Sequence, residues 1–232
     1  MYEEWNQYQL ENKSKVILYD VLEEDNIFYV GGLDISFCET EEMKHKGVAV
    51  LTIIDYKTKE VVYSNHLECS IYIPYVSGYL GFREVPAYKE LLEQAKHTPF
   101  YPQVVLVDGC GIMHQREFGS ASHLGVEFDI PTIGVAKTLL CIDGLNDIEV
   151  SSRFEVLCKK KGDSTHLVGK SGKIWGAALK ATDSVKIPIY VSIGHKVSLE
   201  QAVKIVTNMC LYKNPEPIRL SDIKSRTLIL NI

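Results

Sequence analysis

Four apolar residues in succession, Val104 to Val107, three of them β-branched, stop at Asp108 and run into Gly109, Cys110 and Gly111. A short apolar run with no polar alternation describes a strand covered on both faces. The chain must therefore supply a sheet with layers packed above and below it. A carboxylate at the end of such a strand, with glycines beside it, suits a metal ion and a ligand that approaches the backbone closely. Asp-Gly is also ordinary turn chemistry, so Asp108 alone decides nothing.

Other strand-like runs surround this one. Residues 27 to 37, IFYVGGLDISF, are apolar and β-rich, with Asp34 in the middle. An aspartate buried in a strand is costly unless it is paired or metal-bound. Residues 48–56 and 60–68 form two further runs, joined by a hairpin around Lys57-Thr58. Residues 70 to 80 are aromatic and carry Pro74 and Gly78, which marks a loop. Val85, Tyr88, Leu91, Leu92 and Ala95 then fall at helical spacing. This helix is expected to hold Pro86 in its first turn and Glu84 at its N-terminus, where the macrodipole favours a carboxylate.

Residues 115–127 read as helical, and 131–137, PTIGVAK, as a short buried strand ending in Lys137, which can snorkel outward. Residues 138–173 look irregular. The GKSGK stretch at 169–173 lacks the frame of a phosphate-binding loop. IPIYVSI, 187–193, is another strand, followed by Gly194-His195. Ser198 to Tyr212 reads as a helix opened by a Ser198/Gln201 capping box and stopped by Pro215 and Pro217. A short amphipathic helix carrying Trp5, Tyr8 and Leu10 is expected within residues 1–15.

Composition narrows the class. No apolar run approaches the ~20 residues of a membrane span, and the first residues lack the pattern of a secretory signal. The six cysteines, at 38, 69, 110, 141, 158 and 210, contain no CxxC pair. That argues against zinc and against a disulfide scaffold, and points to free thiols in a reducing compartment. The net charge of −5 hides a basic stretch: residues 159–186 hold seven lysines and two acids. Those lysines either contact phosphates or form a solvated loop face. With no internal repeat or linker, residues 1–232 are expected to form one domain.

Three strands, a helix, then strands alternating with helices predict an α/β fold with one mixed sheet, antiparallel in its first three strands and then parallel, flanked by helices. Such a sheet can set Asp34 and Asp108 side by side, with Glu84 approaching from the helix. Three hard oxygen donors suit Mg²⁺ or Mn²⁺ rather than zinc, and such centres serve phosphoryl transfer.

Several collinear stretches resemble the endonuclease V family. They are GGLDISF, PYVSGYLGFRE, VDGCGIMHQREFGSASHLGV, PTIGVAK, IYVSIGHKVSLEQAV and PEPIRLSD, spanning about residues 28–222. The resemblance implies a ribonuclease-H-like fold and a Mg²⁺-dependent endonuclease, with Mn²⁺ as a substitute. The family cuts nucleic acid at the second phosphodiester 3′ to inosine, leaving 3′-hydroxyl and 5′-phosphate ends. It implies that Asp34, Glu84 and Asp108 hold the metal. His195 would lie near them, orienting rather than ligating. Lys137 would face the cut phosphate, and His114 would lie close to the scissile region. Pro74, Tyr75, Val76 and Ser77 match the family's wedge between bases. Gly78, Leu80, Gly109, Gly111 and Leu140 match its pocket for the flipped hypoxanthine.

The Pro-Tyr-Val-Ser wedge and the KKKGDSTHLVGKSG segment resemble animal members, which favour inosine in single-stranded RNA over deoxyinosine in DNA. A monomer in the cytoplasm, with nuclear or nucleolar residence as well, fits that reading. Two competing classes remain: a nucleic-acid-binding module that does not cut, and a nucleotide-dependent phosphotransferase.

Overall fold

The computed structural model describes residues 2–40 and 42–232. Its centre is one eight-stranded sheet. β1 (Tyr29–Phe37), β2 (Lys46–Asp55) and β3 (Val61–Ser70) form the expected antiparallel meander. β4 (Val104–Asp108) lies parallel to β1, and β5 (Thr132–Ala136) lies parallel to β4. The mixed sheet is thus antiparallel first and then parallel. The parallel part stops at β5. Beyond it, β8 (Ile189–His195), β7 (Ile174–Leu179) and β6 (Ser164–Val168) extend the sheet as antiparallel strands.

Strand alternation explains how β4 is covered on both sides. Val105 and Val107 pack with Val85, Tyr88, Leu91 and Leu92 of α2 (Leu80–Ala95), and with Leu124 of α3 (Ser120–Phe128). Val104 and Leu106 join the opposite core, with Ala202, Ile205 and Val206 of α5 (Leu199–Met209) and Ile218 of α6 (Glu216–Ile229). A third cluster, around Phe154, lies under α4 (Asp147–Leu157) at the far end of the sheet. All six cysteines are free. Among the described residues no helix is long and apolar enough to cross a membrane.

Four local expectations are corrected. First, α1 (Tyr2–Asn12) is present, but Leu10 faces solvent and the buried positions are Gln9 and Asn12. Second, α2 starts at Leu80, so Pro86 and Glu84 sit inside the helix instead of in its first turn. Proline is accepted there at the loss of one intrahelical bond, the one that the Phe82 carbonyl would have received. Third, residues 138–173 are not irregular, because they contain α4 and β6. The GKSGK stretch follows β6 and makes its turn into β7 on Asp143, which accepts from the Ser171 hydroxyl and from Trp175 Nε1. Fourth, Pro215 is the N-cap of α6, which the sequence reading did not foresee. The capping box at α5 is half formed. Ser198 Oγ accepts from Gln201 N, while the Gln201 amide donates to Leu22 O instead of turning back.

Candidate active site

Register brings two of the predicted acids together. Leu33 pairs with Val107 in the parallel β1–β4 ladder, so Asp34 and Asp108 follow as neighbours on adjacent strands, both on the face that α6 covers. Neighbouring strands run ~4.8 Å apart. Asp34 is buried, and its Oδ2 accepts a 2.7 Å hydrogen bond from Ser225 Oγ of α6. Burial, together with the charges of Asp108 and Asp222, outweighs that bond and pushes the Asp34 carboxyl up to about 6.

Glu84 is buried inside α2, where Tyr88 Oη donates to its Oε2 at 3.4 Å. Desolvation first, then the charges of Asp34 and Asp108, push it up to about 8. The macrodipole account of Glu84 therefore fails. This acid is held in an unfavourable place inside a helix, and its neighbours are acids.

Lys137 closes the group. Its Nζ meets Asp108 Oδ2 at 2.6 Å. Burial lowers its pKa, but Asp108, Asp222 and Asp34 together raise it, so the ammonium stays charged. Among the described residues no three carboxylates, imidazoles or thiols are gathered about one point. The acids feel one another's charge, and the lysine and the Ser225 hydroxyl each satisfy one carboxylate oxygen. The donors are all hard oxygens, and the crowding that raises Asp34 and Glu84 is of the kind that a divalent cation would relieve.

Asp222 and Ser225 were not singled out as site residues in the sequence. The signal was available: a helix that begins Pro-Glu-Pro and carries Ser221 and Ser225 four residues apart can lay a small polar face on a strand. Ser221 Oγ donates to Gly32 O at 2.9 Å, and Ser225 reaches Asp34.

Beside Asp108 and Lys137 opens a cavity of about 360 Å³, lined also by Tyr75, Ser77, Gly78, Leu80, Gly109 and Leu140. That size falls within the range of small-ligand pockets. Gly111 is not part of it. Its amide donates to Ser192 Oγ at 2.9 Å, and a Cβ there would lie 1.9 Å from Ile193 O, so this glycine serves close packing against β8. Pro74 lines a separate apolar groove with Tyr72 and Arg83, and Val76 lines neither space. Tyr75 is 71% exposed at the cavity mouth.

Of the two predicted histidines, one lines the cavity and the other lies away from the acids. His114 lines the cavity, but both ring nitrogens are engaged. Nε2 donates to Gly78 O at 3.0 Å, and Nδ1 accepts from Arg116 N at 3.2 Å. Burial and the nearby Arg116 charge push it down to about 4, and both of its hydrogen bonds are to backbone. His195 is far from the acids. It pairs with Thr132 at the start of β5, while Asp108 pairs with Val135, three residues further along. That is ~10 Å along the strand. Its Nδ1 accepts from Ile17 N, and its Nε2 faces Asp129 at 3.8 Å.

The lysine-rich stretch is also less available than its composition implies. Lys159, Lys161 and Lys180 donate to the carbonyls of Glu155, Cys210 and Val185, and Lys173 pairs with Glu117. Four of the seven lysines thus end on the protein's own oxygens.

A mixed sheet with carboxylates on adjacent central strands, beside a nucleobase-sized cavity, defines a ribonuclease-H-like protein with an acidic centre. The comparisons narrow this class: the Endonuclease V family model matches residues 10–223, and the chain belongs to that family. It is 45% identical to mouse Endonuclease V over 202 residues, a match covering 86% of this chain and 59% of the mouse protein, so the chain spans under two thirds of that relative. The catalytic domain of human Endonuclease V superposes with a TM-score of 0.93 at 39% identity, covering 99% of this chain and 96% of that one. Ciona intestinalis Endonuclease V, solved with a 23mer DNA containing an inosine followed by a ribo-adenosine, gives 0.94 at 36% identity, covering 99% and 97%.

Proposed function

We propose that this chain is a metal-dependent endonuclease that cuts single-stranded RNA at the second phosphodiester 3′ to inosine, leaving 3′-hydroxyl and 5′-phosphate ends. The observation that carries this reading is the cavity beside Asp108 and Lys137: a nucleobase can enter it while its strand lies across the acids. The ribo-adenosine that follows inosine in the Ciona complex supports a strand with ribose on that side.

Asp34, Asp108 and Glu84 would hold the divalent cation, Mg²⁺ or Mn²⁺. Bound there, it would supply a Lewis acid and lower the pKa of water. Lys137 offers a compact positive charge to the phosphate next to Asp108. Asp222 keeps that ammonium charged from the α6 side. Tyr75 offers a stacking face at the cavity mouth, and Gly78 and Gly109 let backbone polar groups approach the base edge. An extruded base leaves single-stranded RNA at lower cost than a duplex.

The test is cleavage of matched oligonucleotides carrying inosine or adenosine, in ribo or deoxy form, with Mg²⁺ or EDTA, and with Asp108→Asn as the control. The inosine ribo-oligonucleotide with Mg²⁺ is expected to be cut, and Asp108→Asn to lose about 10³-fold or more, the scale of losing a principal stabiliser of transition-state charge. Equal cutting of adenosine strands, or full activity in EDTA, would overturn the reading. Faster cutting of the deoxyinosine strand would replace RNA by DNA as the substrate.

A further inference from the structure

α1 is solvent-exposed along most of its length, yet Gln9 is only 2% exposed. A buried amide must find partners. Gln9 Nε2 donates to Gly78 O and to Phe118 O, both at 3.0 Å, and Gln9 Oε1 accepts from Arg116 Nε. Gly78 O also accepts from Arg116 Nη2 at 2.8 Å and from His114 Nε2 at 3.0 Å. Three donors from two separate chain segments thus converge on one carbonyl, which has two lone pairs. On the other side of the same peptide, Tyr79 N donates to Val76 O at 3.0 Å. The peptide plane is pinned at both ends, and its residue holds φ +83°, a conformation that favours glycine.

The helix that delivers Gln9 is itself docked. Trp5 stacks on Phe82 with ring centroids 5.1 Å apart, and Tyr8 Oη donates to Glu127 at 2.6 Å. Gln9, Gly78, Leu80 and His114 all line the cavity.

We infer that Gln9 is a positioning residue for base selection, acting through the Gly78 carbonyl to fix the cavity wall that the flipped base meets. The inference rests on the function proposed above. Guanine differs from hypoxanthine by an added 2-amino group, so a wall held in one place is what allows one base to enter and the other to be refused. A wall released from Gln9 is held from one chain segment instead of two and loses that distinction. The N-terminal helix is then part of the specificity apparatus, although it contributes nothing to the sheet or the acids.

The test compares kcat and KM for single-stranded RNA oligonucleotides carrying inosine or guanosine at one position. Gln9→Glu keeps the length and the acceptor for Arg116 but places an oxygen where two carbonyls need a donor. It is expected to raise KM for the inosine strand by about 10-fold, the scale of one lost hydrogen bond, with kcat within about 3-fold. The inosine-to-guanosine ratio of kcat/KM is expected to fall at least about 5-fold. Gln9→Met, equally long but without donor or acceptor, is expected to do the same and carries the test if Gln9→Glu does not fold. Tyr8→Phe, which gives up another contact of the same helix but leaves every Gln9 hydrogen bond in place, is expected to lower the melting temperature and to change the ratio by less than about 2-fold. An unchanged ratio in the Gln9 variants, or an equal fall in Tyr8→Phe, overturns the inference while leaving the proposed function intact. Failure of the unaltered protein to cut the inosine strand removes both.

Discussion

The acidic centre beside the cavity, an acid wall behind Asp108, and the glycine turn that lines the cavity are held by opposite physics. On one side, Asp34 and Glu84 are buried acids crowded by Asp108, with Lys137 as a counter-charge, and their carboxyls are pushed up to about 6 and about 8. On the other, the turn through Gly78 is held by an amide, an imidazole and a guanidinium on one carbonyl. The acid wall is crowded with like charge and would gain most from the divalent cation proposed for it. The glycine wall is satisfied as it stands, so its shape is ready before substrate arrives. On the proposed function, the chemistry would rest on electrostatic tension and the recognition on a completed hydrogen-bond network.

The sharpest way to break this contrast is Glu84→Gln. A carboxyl raised from an ordinary 4.5 to about 8 by burial and acidic neighbours favours the protonated folded state. Its contribution to stability is full below about pH 4.5 and is lost as pH rises towards 8. Glu84→Gln removes that loss, worth on the order of 4 kcal/mol. The metal-free variant should melt about 8–16 °C higher than the parent at pH 8, with a flatter profile of melting temperature against pH and with cleavage abolished. A lower melting temperature at pH 8 would show that the acid wall is not strained.

A smaller effect tests the mouth of the glycine wall. Tyr75→Ala should raise KM for inosine RNA by about 5- to 150-fold, the equivalent of ~1–3 kcal/mol of base stacking, with unchanged thermal stability because the ring is exposed. An unchanged KM would remove Tyr75 from the interface. The smallest effect is expected at His114. His114→Gln can still donate to Gly78 O, so kcat should stay within about 3-fold and the pH–rate profile between 5 and 8 should keep its shape. A thousandfold loss of kcat would make this imidazole a proton carrier.

The contrast also explains what could be read from the sequence. The β4 strand and Asp108 were legible because a strand covered on both faces needs an unbroken apolar run, and three of the four residues before Asp108 are β-branched. The position of Glu84 was misjudged because a proline two residues later signals a first turn. Only the packed α2 shows that the helix starts six residues before Pro86. His195 was misplaced because its distance from Asp108 depends on the antiparallel register of β8 against β5, which no local pattern encodes. The second part of the acid wall, Asp222 and Ser225 on α6, was hidden for another reason. Past Ile218 the buried positions of that helix are serines, Ser221 and Ser225, and Ser221 donates to the backbone of Gly32. Hydrophobic periodicity has nothing to detect there. Gln9 escaped notice likewise, as one polar residue in a polar helix.

The bond from Ser225 to Asp34 spans 191 positions of the chain. A contact between residues so far apart along the chain is made late in folding, because the entropy of closing that long loop must be met before the bond is rewarded. The Asp34 carboxylate thus gains its serine partner only when β1 and α6 have come together.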